Sequence, residues 1–207
     1  MAARGSSGAR LLVVGMDRPA CPLEVLILSN NELGSPSGEA IGNMLSINTT
    51  IKQVDLAWNG IRRTGAVTLA NALFTNRTLQ RLDIAWNGFG TEGALWCSSP
   101  TGHVGALTLP YVGCGTLMAG SEHLGMMLSS NNTLRVLNIS HNSVQAQSAI
   151  VIANNLKKNT TLTNLQMNGN ALGKDGGRAL LRCMDGTGDV RIIGLDGEIA
   201  PTPLAAS

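Results

Sequence analysis

The sequence predicts an α/β solenoid, a stack of units that each contain a short strand, a turn and a helix. A pattern of apolar residues and one Asn occurs five times, and its evenly spaced starts at Leu23, Ile51 and Leu79 define a 28-residue repeat. The composition agrees with such a fold. Only 3% of the 207 residues are aromatic and 25 are Gly, which favours a core of small and aliphatic side chains.

The first half of each unit is predicted to be a strand followed by a turn. The five segments read LEVLILSNNEL, IKQVDLAWNGI, LQRLDIAWNGF, LRVLNISHNSV and LTNLQMNGNAL, the last two starting at Leu134 and Leu162. Positions 4 and 6 are apolar and point inward, since side chains alternate along a strand. Position 9 is Asn, whose short amide can bond backbone groups that a turn leaves unpaired. A sixth, partial copy places Val190, Ile193 and Leu195 at positions 1, 4 and 6.

The second half of each unit is predicted to be a helix, because apolar residues four apart share one helix face. In GAVTLANALFTNRT this pair is Leu69 and Leu73. A single strand and helix cannot bury their apolar faces alone, so neighbouring units must stack. The equivalent pairs in the other units are Ile41 and Leu45, Leu124 and Leu128, Ile152 and Leu156, and Leu180 and Met184.

This pattern resembles the leucine-rich-repeat family, and a 28-residue unit with a full helix is similar to its ribonuclease-inhibitor-like class. The resemblance covers about residues 23–197. It implies a short horseshoe with parallel strands on the concave face and helices on the convex face. The stacking argument from the residues leads to the same architecture.

The register breaks between the starts at Leu79 and Leu134, which are separated by almost two repeats. Removing a segment nearly one repeat long, for instance 95–121, restores the pattern. The surrounding stretch between Glu92 and Glu122 contains no charged residue. Three interpretations are open: an insertion, natural or from a translated intron; a weakly apolar membrane span at residues 102–120; and a diverged repeat with Val104, Leu107 and Leu109 at positions 1, 4 and 6.

The repeats divide the chain into three parts. Residues 1–22 are expected to be mostly disordered, residues 23–197 to form the leucine-rich-repeat domain, and residues 198–207 to form a C-terminal tail. Neither end shows a cap for the array. Because an uncapped edge strand exposes unpaired backbone groups, edge-to-edge self-association is a further expectation.

Charge and cysteine content exclude several classes of protein. Fifteen basic and 13 acidic residues give a net charge of +2, too little for a nucleic-acid-binding surface. Four cysteines without a CxxC pair argue against a disulfide scaffold and favour a reducing compartment. The apolar run at residues 11–14 is too short for a signal peptide. We therefore expect a cytoplasmic protein that binds neither nucleic acid nor a membrane.

No motif for catalysis is present, since GxxxxGK[ST], HExxH and GxSxG are all missing from the sequence. Cys97, His103, Cys114 and His123 do not have the spacing of a zinc site. We expect no catalytic residue, no metal and no cofactor. Four N-x-T tripeptides match glycosylation acceptors, but their shared place after a helix favours a polar turn that ends it; they begin at Asn48, Asn76, Asn131 and Asn159.

The outward positions of the strands supply candidate binding residues. Asp55 and Asp83 occupy position 5 of neighbouring repeats, so parallel strands would bring two like charges together. Arg81 is expected to neutralise them through an ion pair. The alternative to a binding role is a solvated polar face with this one ion pair.

Position 8, immediately before the Asn, carries a second candidate. Its residues in chain order are Asn30, Trp58, Trp86, His141 and Gly169. Tryptophan is common at binding hot spots, because it offers a large planar surface with one polar atom. The alternative is that both indoles pack between repeats.

These features predict a non-catalytic module that binds a protein partner through the concave strand face and the rim loops, as the family resemblance also implies. The predicted contact residues are Trp58, Trp86, Asp55, Asp83, Arg81 and His141. Two alternatives are open. The first is an activator of a small GTPase, in which Arg62 and Arg63 supply charge to a phosphoryl transition state. The second is a structural subunit of a cytoskeletal or ciliary assembly.

Overall fold

Strands alternate with helices throughout the part of the chain that a computed structural model describes, residues 22–90, 120–184 and 191–193. The strands form one parallel sheet in chain order, and each helix packs against the next. This confirms the predicted α/β solenoid. The strands are β1 (Val25–Ile27), β2 (Gln53–Asp55), β3 (Arg81–Asp83), β4 (Val136–Asn138), β5 (Asn164–Gln166) and β6 (Arg191–Ile193). The helices are α1 (Gly34–Ile47), α2 (Arg63–Thr75), α3 (Gly120–Leu128), α4 (Ala146–Leu156) and α5 (Gly173–Met184).

The core lies between the sheet and the helix layer, and the predicted inward residues fill it. Position 4 is buried in the first five strands, and the helical pairs are buried in the first four helices. The prediction for α5 is wrong at one residue. Met184 is 36% exposed, while Cys183 is fully buried, because α5 turns the residue three after Leu180 inward instead of the residue four after it.

The sheet register is regular up to the last strand. Val25 pairs with Gln53 and Gln53 with Arg81, each partner lying one full repeat further along the chain. Asn164, however, pairs with Arg191, so the last unit is shorter than the others by a single position. The predicted register, with Ile192 at position 3 and Gly194 at position 5, is therefore wrong by one residue. Either of the adjacent isoleucines at 192 and 193 suits the apolar position 4, and the apolar Val190 and Leu195 at positions 1 and 6 favour the register that the structure does not have.

The break in the repeat does not interrupt the sheet. Leu82 of β3 pairs directly with Leu137 of β4. Val104, Leu107 and Leu109, on which the interpretation as a diverged repeat rests, lie outside the described residues, so that interpretation stays a prediction. Helix α3 begins at Gly120, so Gly120 and Ser121 belong to the repeat and not to the extra segment. The rest of the segment 95–121 lies outside the described residues, and the origin of an insertion stays open.

The Asn at position 9 joins each repeat to the one before it. Asn59 is 1% exposed, and its Nδ2 donates to the backbone oxygens of Leu28 (2.8 Å) and Leu56 (3.0 Å). Its Oδ1 accepts from the backbone amides of Asn31 and Leu33. We call Asn59 and its three equivalents the asparagine ladder; the equivalents, which each bond to the preceding repeat in the same way, are Asn87, Asn142 and Asn170.

The N-x-T asparagines form a similar series at the helix ends. Asn131, 3% exposed, donates from Nδ2 to the backbone oxygen of Leu73 (2.8 Å) and accepts at Oδ1 from the amides of Thr133 and Leu134. Asn76 and Asn159 are equally buried and make equivalent bonds. These three amides have no space for a glycan in the folded chain, which supports the interpretation as a helix-ending turn. Asn48 is only partly buried, but its Oδ1 accepts from the amides of Thr50 and Ile51 in the same way.

Replacing one rung of the asparagine ladder should destabilise the fold. We expect Asn59→Ala to lower the free energy of unfolding by about 2–4 kcal/mol, because it leaves buried backbone groups unpaired. Asn31→Ala is the matched control. Asn31 holds position 9 of the first repeat, but its side chain is exposed and, among the described residues, bonds only to the backbone oxygens of Leu28 and Ser29. Asn31→Ala should therefore lower the free energy of unfolding by less than about 1 kcal/mol. Urea unfolding compares the two variants, and equal losses would contradict the ladder.

Deleting residues 93–119 should leave a folded solenoid. The deletion joins Glu92 to Gly120 and restores the 28-residue spacing, while the direct pairing of β3 with β4 is already present. We expect cooperative urea unfolding and the helical circular dichroism of the full chain, with little change in stability because loop length has a weak effect. An aggregated or unfolded product would show that the repeats on either side depend on this segment.

Candidate functional site

The residue at position 8 has a left-handed backbone conformation in each of the five repeats that the structure describes. Such a conformation costs a residue other than Gly about 1 kcal/mol, so the surrounding structure must hold it in place. Tryptophan and histidine are unusual at a left-handed position, yet they hold position 8 in three successive copies of the repeat. The φ angles are 60° at Asn30, 59° at Trp58, 56° at Trp86, 53° at His141 and 62° at Gly169.

Hydrogen bonds to the following repeat hold these residues in place. The amide of Trp58 donates to the backbone oxygen of Ala85 (2.9 Å), and that of Trp86 donates to Ser140 (2.9 Å). The amide of His141 donates to Asn168 (2.7 Å). The next residue along the chain is a member of the asparagine ladder, so position 8 is fixed on both sides.

The rings of these residues stack into one column. The centroids of the Trp58 and Trp86 rings lie 4.1 Å apart with planes 15° from parallel. Those of Trp86 and His141 lie 3.9 Å apart, at 13°. We call Trp58, Trp86 and His141 the aromatic column. Trp58 is 53% exposed and Trp86 43%. The indoles therefore pack between repeats and also leave a large surface in solvent, so the two predicted roles do not exclude each other.

The two ends of the aromatic column differ. At one end, the His141 imidazole occupies the space that a side chain at Gly169 would need, so glycine is required there. At the other end, Trp58 faces the first repeat, whose position 8 is the exposed Asn30. No ring covers that outer face of Trp58 among the described residues. The column is thus closed at His141 and open at Trp58.

The predicted acidic pair lies beside the aromatic column on the strand face. Asp55 pairs with Asp83 in the sheet register, and both are half-buried. Each Oδ1 accepts from the amide two residues later, at Ala57 (3.0 Å) and Ala85 (2.9 Å). These bonds direct both carboxylates toward the end of the strands where the aromatic column lies.

The expected ion pair of Arg81 with these aspartates is wrong. Lys52 forms a salt bridge with Glu24 (2.6 Å), whereas Arg81 is exposed and makes no salt bridge to either aspartate. Asp83 Oδ2 instead accepts from Nδ2 of Asn138 (2.9 Å). Arg81 occupies position 3 and the aspartates position 5, where backbone amides donate to both Oδ1 atoms and Asn138 to Oδ2 of Asp83. The charges of the pair stay without a cationic partner in salt-bridge contact in the described part of the chain.

Apolar residues of the neighbouring strand β1 flank the acidic pair. Val25 and Ile27 of β1 are 44% and 68% exposed, unusual for aliphatic side chains. They line a shallow depression of about 260 Å³ on the strand face together with Asp55, Asp83 and Arg81. The site therefore combines exposed aliphatic, acidic and aromatic surfaces.

The sequence reasoning did not identify a second groove, at the opposite ends of the strands. It has a volume of about 920 Å³ and is lined by the N-x-T turns together with Lys52, Arg77 and Arg135. No acidic residue of the described ranges lines it. The threonines of the four N-x-T tripeptides are the sequence signal for this groove, because they recur at one position of the repeat and line it.

The other predicted features add no chemistry to the site. Arg62 and Arg63 are exposed at the start of α2, and the aliphatic carbons of Arg62 lie over Gly88. His123 lies on α3, whereas Cys97, His103 and Cys114 fall outside the described residues, which contain no cluster able to hold a metal ion. No helix in the described ranges is long and apolar enough to cross a membrane.

Comparisons with known proteins agree with this architecture. A sequence model of the leucine-rich repeat matches residues 20–42, 48–70, 75–95, 130–153 and 158–181, more than half of the chain. A curated relative, the NACHT, LRR and PYD domains-containing protein 12 of Mus musculus, is 36% identical over 61 residues. That match includes 30% of this chain and spans only 6% of the relative's length.

Among solved structures, the leiomodin-1 actin-binding site 2 (ABS2) has the same fold. The two structures superpose with a TM-score of 0.57 over 86% of this chain and 88% of the other, at 21% sequence identity.

Truncating the middle ring should cost more stability than truncating the end ring. Trp86 stacks on two rings and Trp58 on one. We expect Trp86→Ala to lose about 1–3 kcal/mol of ring-pair stabilisation and Trp58→Ala about 0.5–1.5 kcal/mol. Urea unfolding measures both. A larger loss for Trp58→Ala would show that the stacking does not stabilise the repeats.

Proposed function

Because the chain belongs to the leucine-rich-repeat family, we propose that it is a non-catalytic module that binds a protein partner. The contact surface is the strand face together with the adjoining rim, and the residues that we assign to it are Trp58, Trp86, His141, Asp55, Asp83 and Arg81. Arg81 enters this set as an exposed cation that makes no salt bridge to the two aspartates.

The exposure of the aromatic column is the observation that carries this proposal. About half of the surface of each indole is in solvent, although the backbone beneath is held in a costly left-handed conformation. Large planar side chains with few accessible rotamers lose little entropy on binding, and for this reason tryptophan dominates many interfaces. A rigid stack of such rings beside exposed aliphatic residues is a preorganised contact surface.

The two alternatives have weaker support. Activation of a small GTPase would rest on Arg62 and Arg63. Both are exposed, Arg62 immediately before helix α2 and Arg63 as its first residue. A role in a cytoskeletal assembly gains one hint from the similarity to the leiomodin-1 actin-binding site 2, whose name states actin binding, but 21% identity supports the fold alone. The ribonuclease-inhibitor-like class and a cytoplasmic location stay predictions.

Partner recovery from the source cell tests the proposed function. We expect the Trp58→Ala/Trp86→Ala double variant to lose a partner that the wild type recovers in a pull-down. Ile47→Ala is the matched control, since Ile47 is 67% exposed at the opposite end of the repeat. The variants are first shown by circular dichroism to be folded. Unchanged recovery by a folded double variant would overturn the assignment of the binding surface to the rim.

A further inference from the structure

The open end of the aromatic column has a composition that favours one kind of ligand. We propose that it binds an arginine of the partner, next to an aliphatic residue that contacts Val25 and Ile27. This inference rests on the proposed function and specifies the chemistry of the partner. The guanidinium would lie on the outer face of Trp58 and donate to Asp55.

The Trp58 face is preorganised for a planar cation. The ring is held by its stack on Trp86, no second ring stacks on its outer face among the described residues, and position 8 of the first repeat is the short, exposed Asn30. A cation over an indole face is attracted by the ring quadrupole, and a guanidinium also stacks because it is flat. An ammonium group offers only the first of these two interactions.

The negative charge of Asp55 favours a cationic ligand over a neutral aromatic ligand at the outer face of Trp58. Its Oδ1 is bonded to the amide of Ala57, while its Oδ2 has no hydrogen-bond partner among the described residues. The neighbouring Asp83 already uses both oxygens, with Ala85 and Asn138. The two in-register carboxylates repel each other, and Arg81, which lines the same depression, makes no salt bridge to either of them. A guanidinium that binds Asp55 would relieve this repulsion.

The exposed residues of β1 complete the site. Ile27 pairs with Asp55 in the sheet register and is 68% exposed, and Val25 is 44% exposed two residues earlier. An aliphatic residue beside the arginine would cover both. A partner segment that presents arginine and an aliphatic residue therefore matches the charge and the apolar surface together.

The test uses a fluorescent peptide in which arginine alternates with leucine. Two matched peptides replace arginine by lysine, which removes the planar group, or by citrulline, which keeps the shape but removes the charge. We expect fluorescence polarisation to rank affinity for the wild-type chain as arginine, then lysine, then citrulline. Trp58→Ala should weaken the arginine peptide roughly threefold to thirtyfold. Asp55→Asn should weaken it about threefold, whereas Asp175→Asn, the same charge change on the exposed face of α5, should leave it unchanged.

Several results would overturn the proposal. These are a lack of binding by the arginine peptide, equal affinity for the citrulline peptide, and an Asp55→Asn effect no larger than that of Asp175→Asn. Tighter binding of a peptide with phenylalanine in place of arginine would also overturn it in favour of an aromatic ligand. The pull-down remains a separate measurement. If the partner is lost with both tryptophans while the arginine and citrulline peptides bind equally, the proposed function stands and only the arginine site fails.

Discussion

The bonds of the asparagine ladder are the interaction on which the rest of this structure depends. Each rung places one amide where it satisfies carbonyl groups of two repeats and amide groups of the earlier one, as at Asn59. The strands alone are three residues long, too short to fix the stacking of the repeats. The ladder also continues across the break, since Asn142 donates to Ile84 as though the repeats were adjacent in sequence. A solenoid with only 3% aromatic residues thus obtains its order from repeated polar bonds as much as from its aliphatic core.

The candidate site follows from the same bonds. The left-handed backbone at position 8 is held in two ways. Its amide donates to a backbone oxygen of the next repeat, and the Asn that follows it at position 9 is fixed by the bonds of the ladder. Every side chain at position 8 then leaves the rim in the same direction, so Trp58, Trp86 and His141 have to stack. The two ends of the aromatic column therefore differ, because Gly169 packs against His141 whereas no ring stacks on the outer face of Trp58 among the described residues. The binding surface is therefore a consequence of how the repeats are joined.

Much of the fold could be predicted from periodicity, because the inward positions and the Asn of each repeat obey strong constraints. The prediction was wrong where those constraints were weak: adjacent isoleucines permit two registers in β6, and the last turn of α5 places Cys183 inward in place of Met184. The residues of the candidate site were also identifiable, since Trp58 and Trp86 share one repeat position. Their arrangement was not, because ring stacking depends on backbone φ angles and the partner of Asp83 on the rotamer of Asn138. Neither quantity has a signature in residue spacing.

The central claim, that the asparagine ladder holds the aromatic column, is tested most directly by the proton resonances of the His141 imidazole. In the wild type the ring lies over Trp86 at 3.9 Å, so its carbon-bound protons should be shifted upfield by the indole ring current. In Asn142→Ala, which removes the rung beside His141, the account predicts that these resonances move back toward the values of an unstacked histidine while the protein stays folded. Imidazole resonances that are not shifted upfield in the wild type, or that remain shifted in Asn142→Ala, would contradict it.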